Sequence, residues 1–304
     1  IQLFMQNVVI DNVRLKDTTQ EFWDEILDNF KQACQIAKET NNIKQLAKAK
    51  FLYAIVYRSQ GKINDELNCI KESIEINKKI DDWEGLSHNY FEIGNTYKEI
   101  GDYSKSLEYT KKGLSIVNNK DLVKEVLMYT NCINISLIRD KNLSDQDLEK
   151  LYEDAEKLAK SYSHEIIVLA DIYVSMALIQ ILKKDYSKAI KVLSNITKLR
   201  KNLEFCGEQG LILELFSKKC LGDEISSDLD KLEKEIKEQE YSFPYWIEYY
   251  RYKLYEGENG KTYLQNAVDE INQKKSNLDG KVLEEFSSAR YVELISEEWD
   301  KINN

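Results

Sequence analysis

Turn-forming residues are scarce in this sequence: its 304 residues include 11 Gly and a single Pro, Pro244. A sheet-rich protein draws on both for its tight turns, so the composition excludes one and leaves helices joined by short loops. Histidine is scarcer, with only His88 and His164, and neither has a second ligand at helical spacing, so no metal centre and no catalytic histidine is expected. Cys34, Cys69, Cys132, Cys206 and Cys220 are odd in number and never form a C-x-x-C pair. That pattern excludes a disulfide framework and a zinc knuckle and points to a reducing cytosol. Long apolar runs are missing as well. The most apolar stretch, Ile166 to Leu182, spans 17 residues and contains Asp171 and Gln180, too short and too polar to cross a bilayer. No secretory leader is expected, because the opening Ile1 to Val13 has Asp11 instead of a basic start and no small-residue cleavage site. The sequence does not begin with Met, which leaves open a piece of a larger polypeptide or a missing start.

Positive charge is in deficit, with 43 Lys and Arg against 53 Asp and Glu and a formal charge of −10. A nucleic-acid partner needs a basic stripe that is absent here. Asp223 to Glu240, with eight carboxylates and three lysines, reads as a solvated helix face. Enzyme signatures are missing too. There is no G-x-S-x-G elbow and no Cys/His dyad. Gly257 to Thr262 ends like a phosphate loop, but Tyr255 stands where its first Gly belongs and a Tyr-rich helix replaces the required strand. The chain is therefore expected to be no enzyme and to need no cofactor.

What is present is a repeat. Tyr90 to Tyr109 reads as two amphipathic helices meeting at Gly101-Asp102-Tyr103. Gly94 lets the second helix come close, Tyr97 fills the gap beside it, and Gly101 closes the first helix in a left-handed cap. About forty residues earlier, Ala54, Tyr57, Gly61, Leu67 and Ile76 repeat the pattern, and Ala177, Asp185, Tyr186, Ala189 and Ile190 repeat it later. Weaker pairs fill the gaps: Val123 to Ile138 with Ser144 to Lys160, Gly207 to Cys220 with Ser227 to Gln239, and Tyr245 to Tyr255 with Lys261 to Lys274. Ser242 reads as an N-cap before Pro244. Val282 to Ser287 and Val292 to Ile302 read as a cap on the terminal repeat, whose apolar face needs covering. The expected fold is an all-α superhelical solenoid of six to seven helix pairs in one domain, residues 1–304. Repeats occupy 20–275, the cap 280–304, and 1–18 is either a degenerate helix or an extended arm.

Gly94, Tyr97, Gly101, Asp102, Tyr103 and Leu107 together resemble the tetratricopeptide consensus. A looser resemblance, carried by Tyr245-Trp246-Ile247, Tyr249, Tyr250, Tyr263-Leu264, Ala267 and Glu297-Glu298-Trp299, is to the tetratricopeptide tails of large bacterial signalling ATPases and nucleotide cyclases. Intracellular peptide-pheromone receptors are a further comparison, although their N-terminal DNA-binding or phosphatase helices are not recognisable here.

The tetratricopeptide resemblance implies a concave groove lined by the second, fifth, ninth and twelfth positions of each first helix. Those positions are Lys48, Phe51, Ile55 and Arg58, then His88, Phe91, Asn95 and Lys98, then Met128, Asn131, Ile135 and Ile138. It implies a protein or peptide partner in that groove, and the mixture of Phe, Asn and basic residues in the first two sets suits an extended or helical peptide with an acidic element, Asn pairing with peptide backbone and Lys and Arg neutralising carboxylates. The chaperone-tail clamp of the family is not expected, because only Asn95 stands where that clamp has its residue. Tyr245, Trp246, Tyr249 and Tyr250 belong to a run of aromatics that packs against the cap and leaves some rings for a binding patch. The expected role is a binding scaffold or sensor, with a signalling-peptide receptor and a non-catalytic part of a larger ATPase or cyclase as alternatives. The partner's identity and the oligomeric state are left open.

Overall fold

The computed structural model describes residues 20–118, 120–161, 166–200, 208–239, 243–255 and 257–303. The arm expected at 1–18, His164, Cys206 and the N-cap at Ser242 lie outside the described residues. The described residues hold fifteen α-helices and no strand. They are α1 Gln20–Glu39, α2 Ile43–Ser59, α3 Ile63–Lys79, α4 Trp83–Ile100, α5 Tyr103–Val117, α6 Leu122–Arg139, α7 Asp145–Ser161 and α8 Ile166–Leu182. They continue as α9 Tyr186–Arg200, α10 Glu208–Leu221, α11 Ser226–Gln239, α12 Tyr245–Leu254, α13 Gly257–Ser276, α14 Gly280–Ser287 and α15 Arg290–Asn303.

The period has a local cause. Asn41, Gly61, Asp81 and Gly101 all have positive φ, of 52°, 68°, 51° and 93°, and each stands two residues before a helix start. Gly, Asn and Asp tolerate the left-handed region that ends a helix, so these four positions reverse the chain every twenty residues. At three of the four the next residue caps the helix that follows, Lys62 being the exception. Asn42 accepts from the Gln45 N–H at 3.2 Å, Asp82 from Gly85 at 3.3 Å and Asp102 from Lys105 at 3.0 Å. Asp185 does the same for α9 at 3.1 Å, after Lys184 at φ 61°.

The rhythm breaks twice. Helix α5 is two residues shorter than α3 and the turn after it one residue longer, so α6 starts and ends 39 positions after α4 instead of 40. The α6–α7 turn is longer: Asp140 is extended at φ −86° and ψ 104°, and Ser144 then caps α7 through a reciprocal pair with Asp147.

By contacts the chain divides into two compact units. Unit 1 runs to Thr96 and includes Glu108–Lys120; unit 2 is Tyr97–Leu107 with everything from Asp121 on. In unit 1, α2 packs on α1 and α3. A buried polar chain ties α2, α3 and α4 together, with Asn89 Nδ2 donating to Ser73 Oγ at 2.7 Å and Ser73 Oγ donating to the Ala47 carbonyl at 2.8 Å. In unit 2, successive helices from α6 to α13 share one core that runs from Tyr103 to Ile295. The small residues read from the sequence are buried there, with Ala177 and Ala189 both at 0% exposure.

The last helices do more than cap the end. α15 packs on α12, α13 and α6, and α14 brings Phe286 against Tyr103 and Tyr245. A Cβ on Gly101 would meet the Phe286 ring at 2.8 Å, so that glycine serves both the reversal and the seating of α14.

Candidate functional site

In unit 1, the residues expected to line a groove do share one accessible stripe. On α2, Lys48 is exposed and Phe51, Ile55 and Arg58 are half-buried; on α4, so are His88, Phe91 and Asn95. Their neighbours on the opposite face, Ala47, Leu52, Ala54 and Ile93, are buried. The two helices bring their stripes together, with the Phe51 ring edge-on to His88 at 4.6 Å between centroids. The result is a partly apolar strip with one amide and one exposed ammonium.

Arg58 lies on that stripe, but its charge is met within unit 1. Its Nε donates to Glu66 Oε1 at 2.7 Å, Nη1 to Glu92 Oε2 at 2.8 Å and Nη2 to Thr96 Oγ1 at 2.9 Å. Glu66 is 1% exposed, so the guanidinium is the counter-ion of a buried carboxylate. The expectation that Arg58 awaits an acidic ligand is corrected accordingly.

The expectation for α6 is also corrected. Met128 and Ile135 are fully buried and Ile138 is 5% exposed. The one-residue deficit in the spacing from α4 to α6 turns each of them by about 100° on the helix, from the accessible stripe into the core. Leu127, Thr130 and Asn134 take the places that match His88, Phe91 and Asn95. Asn131 is 6% exposed and engages Lys98, whose Nζ donates to its Oδ1 at 2.8 Å. Both lie in unit 2. Next to them, Asn134 Oδ1 accepts from Ser175 Oγ on α8 at 2.7 Å, and one turn before Ser175 is Asp171. Sequence reasoning used Asp171 only to argue against a membrane span. Its equivalence to His88, visible by aligning Asp185-Tyr186 with Asp102-Tyr103, is the signal that would have placed it on the stripe.

The aromatic patch does not form at the surface. Tyr245, Trp246 and Tyr250 are 2%, 8% and 3% exposed. Tyr250 meets Tyr291 hydroxyl to hydroxyl at 2.7 Å, and Trp246 lies 6.3 Å from the Tyr291 ring. Half-buried Tyr249 stacks edge-on to Tyr250 and Tyr291, with Lys253 over its ring. The physical reason is α15, which sets Tyr291 and Val292 into the face of α12 and uses the rings as core.

Two further features carry no chemistry of their own. A cleft of about 540 Å3 in unit 2 is lined by Ser104, Arg139, Lys141 and Glu285 among others, but its charges are satisfied locally. Arg139 pairs with Asp140 at 2.5 Å, Lys141 with Glu293 at 2.6 Å, and Ser104 donates to Glu285 at 2.6 Å. Gly257 to Thr262 lies in the opening turns of α13, and a Cβ on Gly260 would meet the Tyr255 carbonyl at 3.0 Å, so that glycine serves close packing. Among the described residues no group of three or more His, Cys, Asp or Glu is placed to hold a metal ion, and Cys34, Cys69, Cys132 and Cys220 form no disulfide. No described helix is long and apolar enough to cross a membrane.

Comparison with known proteins agrees with this geometry. Residues 87–119 match the tetratricopeptide repeat family. Heat shock protein STI1 of Saccharomyces cerevisiae is 21% identical over 105 residues, which is 34% of this chain and 17% of that protein's length. Among solved structures, BtubC (BKLC) from P. vanneervenii superposes with a TM-score of 0.58 at 16% identity, over 75% of this chain and 95% of that one. The apo form of the quorum sensor NprR from B. thuringiensis gives 0.56 at 14% identity, over 100% and 91%. NprR in complex with its cognate peptide NprX gives 0.52 at 14%, over 96% and 88%. At these identities the likeness speaks for the fold: the chain is an all-α helical-repeat protein with a tetratricopeptide-like architecture, and residues 87–119 carry the matched tetratricopeptide repeat.

Proposed function

We propose that this chain is a peptide receptor: a tetratricopeptide module that binds a short signalling peptide along the accessible faces of its first helices and responds by changing its winding. The observation that carries the reading is the α2–α4 stripe, where Phe51, Ile55 and Phe91 remain partly accessible beside Asn95 while Leu52, Ala54, Val56 and Tyr90 are buried. Apolar side chains beside an amide suit an extended peptide, since the rings anchor side chains and the amide pairs with backbone. Stacked helices hold those groups in place before binding, which lowers the ordering cost. The end-to-end likeness to NprR, a quorum sensor solved with its cognate peptide, favours a receptor over a passive scaffold. A cytoplasmic location fits cysteines that form no disulfide among the described residues.

The test is panning of a random heptapeptide library against the purified chain, with a Phe51→Glu/Phe91→Glu double variant as counter-selection. Small-angle scattering with and without a recovered peptide follows. Peptides that bind the wild type and not the variant, and that change the radius of gyration, are expected. An empty panning overturns the peptide reading, and binding without any change in dimensions replaces the receptor with a scaffold.

A further inference from the structure

The accessible stripe of unit 1 ends in an imbalance of charge. There Arg58 pairs with two carboxylates, Glu66 on α3 and Glu92 on α4, at 2.7 and 2.8 Å. Neither carboxylate pairs with a second cation among the described residues, so the cluster keeps one net negative charge. Arg58 does not serve both in full. Glu66 receives its bonds on Oε1, from Arg58 Nε at 2.7 Å and from the Thr96 hydroxyl at 2.6 Å, while its Oε2 is buried without a donor. Glu92 is held through Oε2, and its Oε1 accepts from no described residue.

The two carboxylates differ in what reaches them. The Glu66 side chain is 1% exposed and closed to any ligand, whereas that of Glu92 keeps 18%. Glu92 follows Phe91 directly and stands one turn from both His88 and Asn95, so its carboxylate borders the apolar strip. The excess charge of the cluster is therefore presented at Glu92, beside the rings that anchor the peptide. Partial burial strengthens its pull on a cation, because less water screens it. An ammonium or guanidinium at Glu92 Oε1 also takes over part of the task of Arg58, whose N–H groups are then free to turn to the unmatched oxygen of Glu66.

We propose that Glu92 anchors a cationic group of the bound peptide at the Arg58 end of the stripe: a lysine or arginine side chain, or a free amino terminus. The assignment rests on the peptide-binding reading above and gives the ligand a charge opposite to the one expected from the sequence. Glu66 acts at one remove. By holding Arg58 it keeps Glu92 from being neutralised within the fold, although it never touches the peptide.

Heptapeptides recovered on the whole chain, each synthesised with a free and an acetylated amino terminus, are titrated against wild type, E92Q and E66Q. Folding of both variants is checked by circular dichroism. The expected result is at least a roughly tenfold loss of affinity on E92Q. E66Q should also bind more weakly than wild type, because Arg58 then belongs to Glu92 alone. Loss on acetylation, seen on wild type and absent on E92Q, identifies the amino terminus as the cation. The same pattern on replacing a Lys or Arg of the peptide by Ala identifies a side chain. Peptides that bind wild type and E92Q equally, or whose affinity for wild type survives removal of every positive charge, overturn this assignment and leave peptide binding standing. An E66Q chain that binds as tightly as wild type overturns the sharing of Arg58. Recovery of no peptide overturns the assignment and the peptide reading together.

Discussion

The hydroxyls of Tyr103 and Tyr245 meet at 2.6 Å although 142 residues separate them in sequence. Both side chains are buried, at 5% and 2% exposure, and the Phe286 ring lies 5.9 and 6.2 Å from theirs. Unit 2 is therefore closed by its own C-terminal helices: α12 and α14 hold the α4–α5 reversal from inside, and Lys274 adds a bond from α13 to the Glu99 carbonyl.

Removing one hydroxyl leaves the other buried and unpaired. Tyr103→Phe and Tyr245→Phe are each expected to lower stability by about 1 to 2 kcal/mol, with the double variant costing less than the two together. Urea denaturation of the three variants measures the coupling, and strict additivity would refute the pairing.

Two reversal glycines separate conformational strain from collision. A Cβ on Gly61 meets nothing within 4 Å, whereas one on Gly101 strikes Phe286 at 2.8 Å, and both residues have positive φ. Gly61→Ala is expected to cost about 1 kcal/mol from the backbone alone. Gly101→Ala should cost about 1 to 3 kcal/mol more, because the ring must move. Equal losses of denaturation midpoint for the two would mean that α14 is not seated where the structure has it.

Arg58 is expected to matter for folding before it matters for any ligand. Arg58→Ala leaves Glu66 buried without its counter-ion, and Glu66 Oε2 already lacks a partner. The expected loss is about 3 to 5 kcal/mol. Pairing the change with Glu66→Gln should recover much of it, and a variant as stable as wild type would show that the guanidinium is not the counter-ion.

How much of this was legible depends on sequence distance. Gly101-Asp102 and Asp185 announce reversals and caps through their own backbone preferences, so the helix pairs and their spacing could be read locally. The slip at α6 could not, since no glycine marks the early end of α5 before Asn118 and Asp121, and one missing residue in the repeat sends Met128 and Ile135 into the core. The counter-ions of Arg58, 8 and 34 residues away, are equally silent. So is α15, which turns Tyr245, Trp246 and Tyr250 from a surface into a core, because nothing near those residues records the helix that covers them.

Stability should carry a signature of Glu248 near neutral pH. Burial pushes its carboxyl up to about 7, against the pull of Arg251, which it shares with Glu233. The folded state thus holds a proton that the unfolded state releases near its ordinary value of 4.5. Stability falls as pH rises from about 4.5 through 7 and levels off above, by up to about 3 kcal/mol from this group. Glu248→Gln should flatten that slope in melting temperatures taken between pH 5 and 8, and a slope unchanged by the substitution would assign it elsewhere.

Photo-crosslinking reads the proposed binding face directly. A recovered heptapeptide carrying a benzophenone residue is irradiated with the chain and the adducts are located by mass spectrometry. Labels on the first helices of unit 1, at positions around Phe51 and Phe91, are the predicted result. Adducts confined to the second helices α3, α5 and α9 would contradict the account.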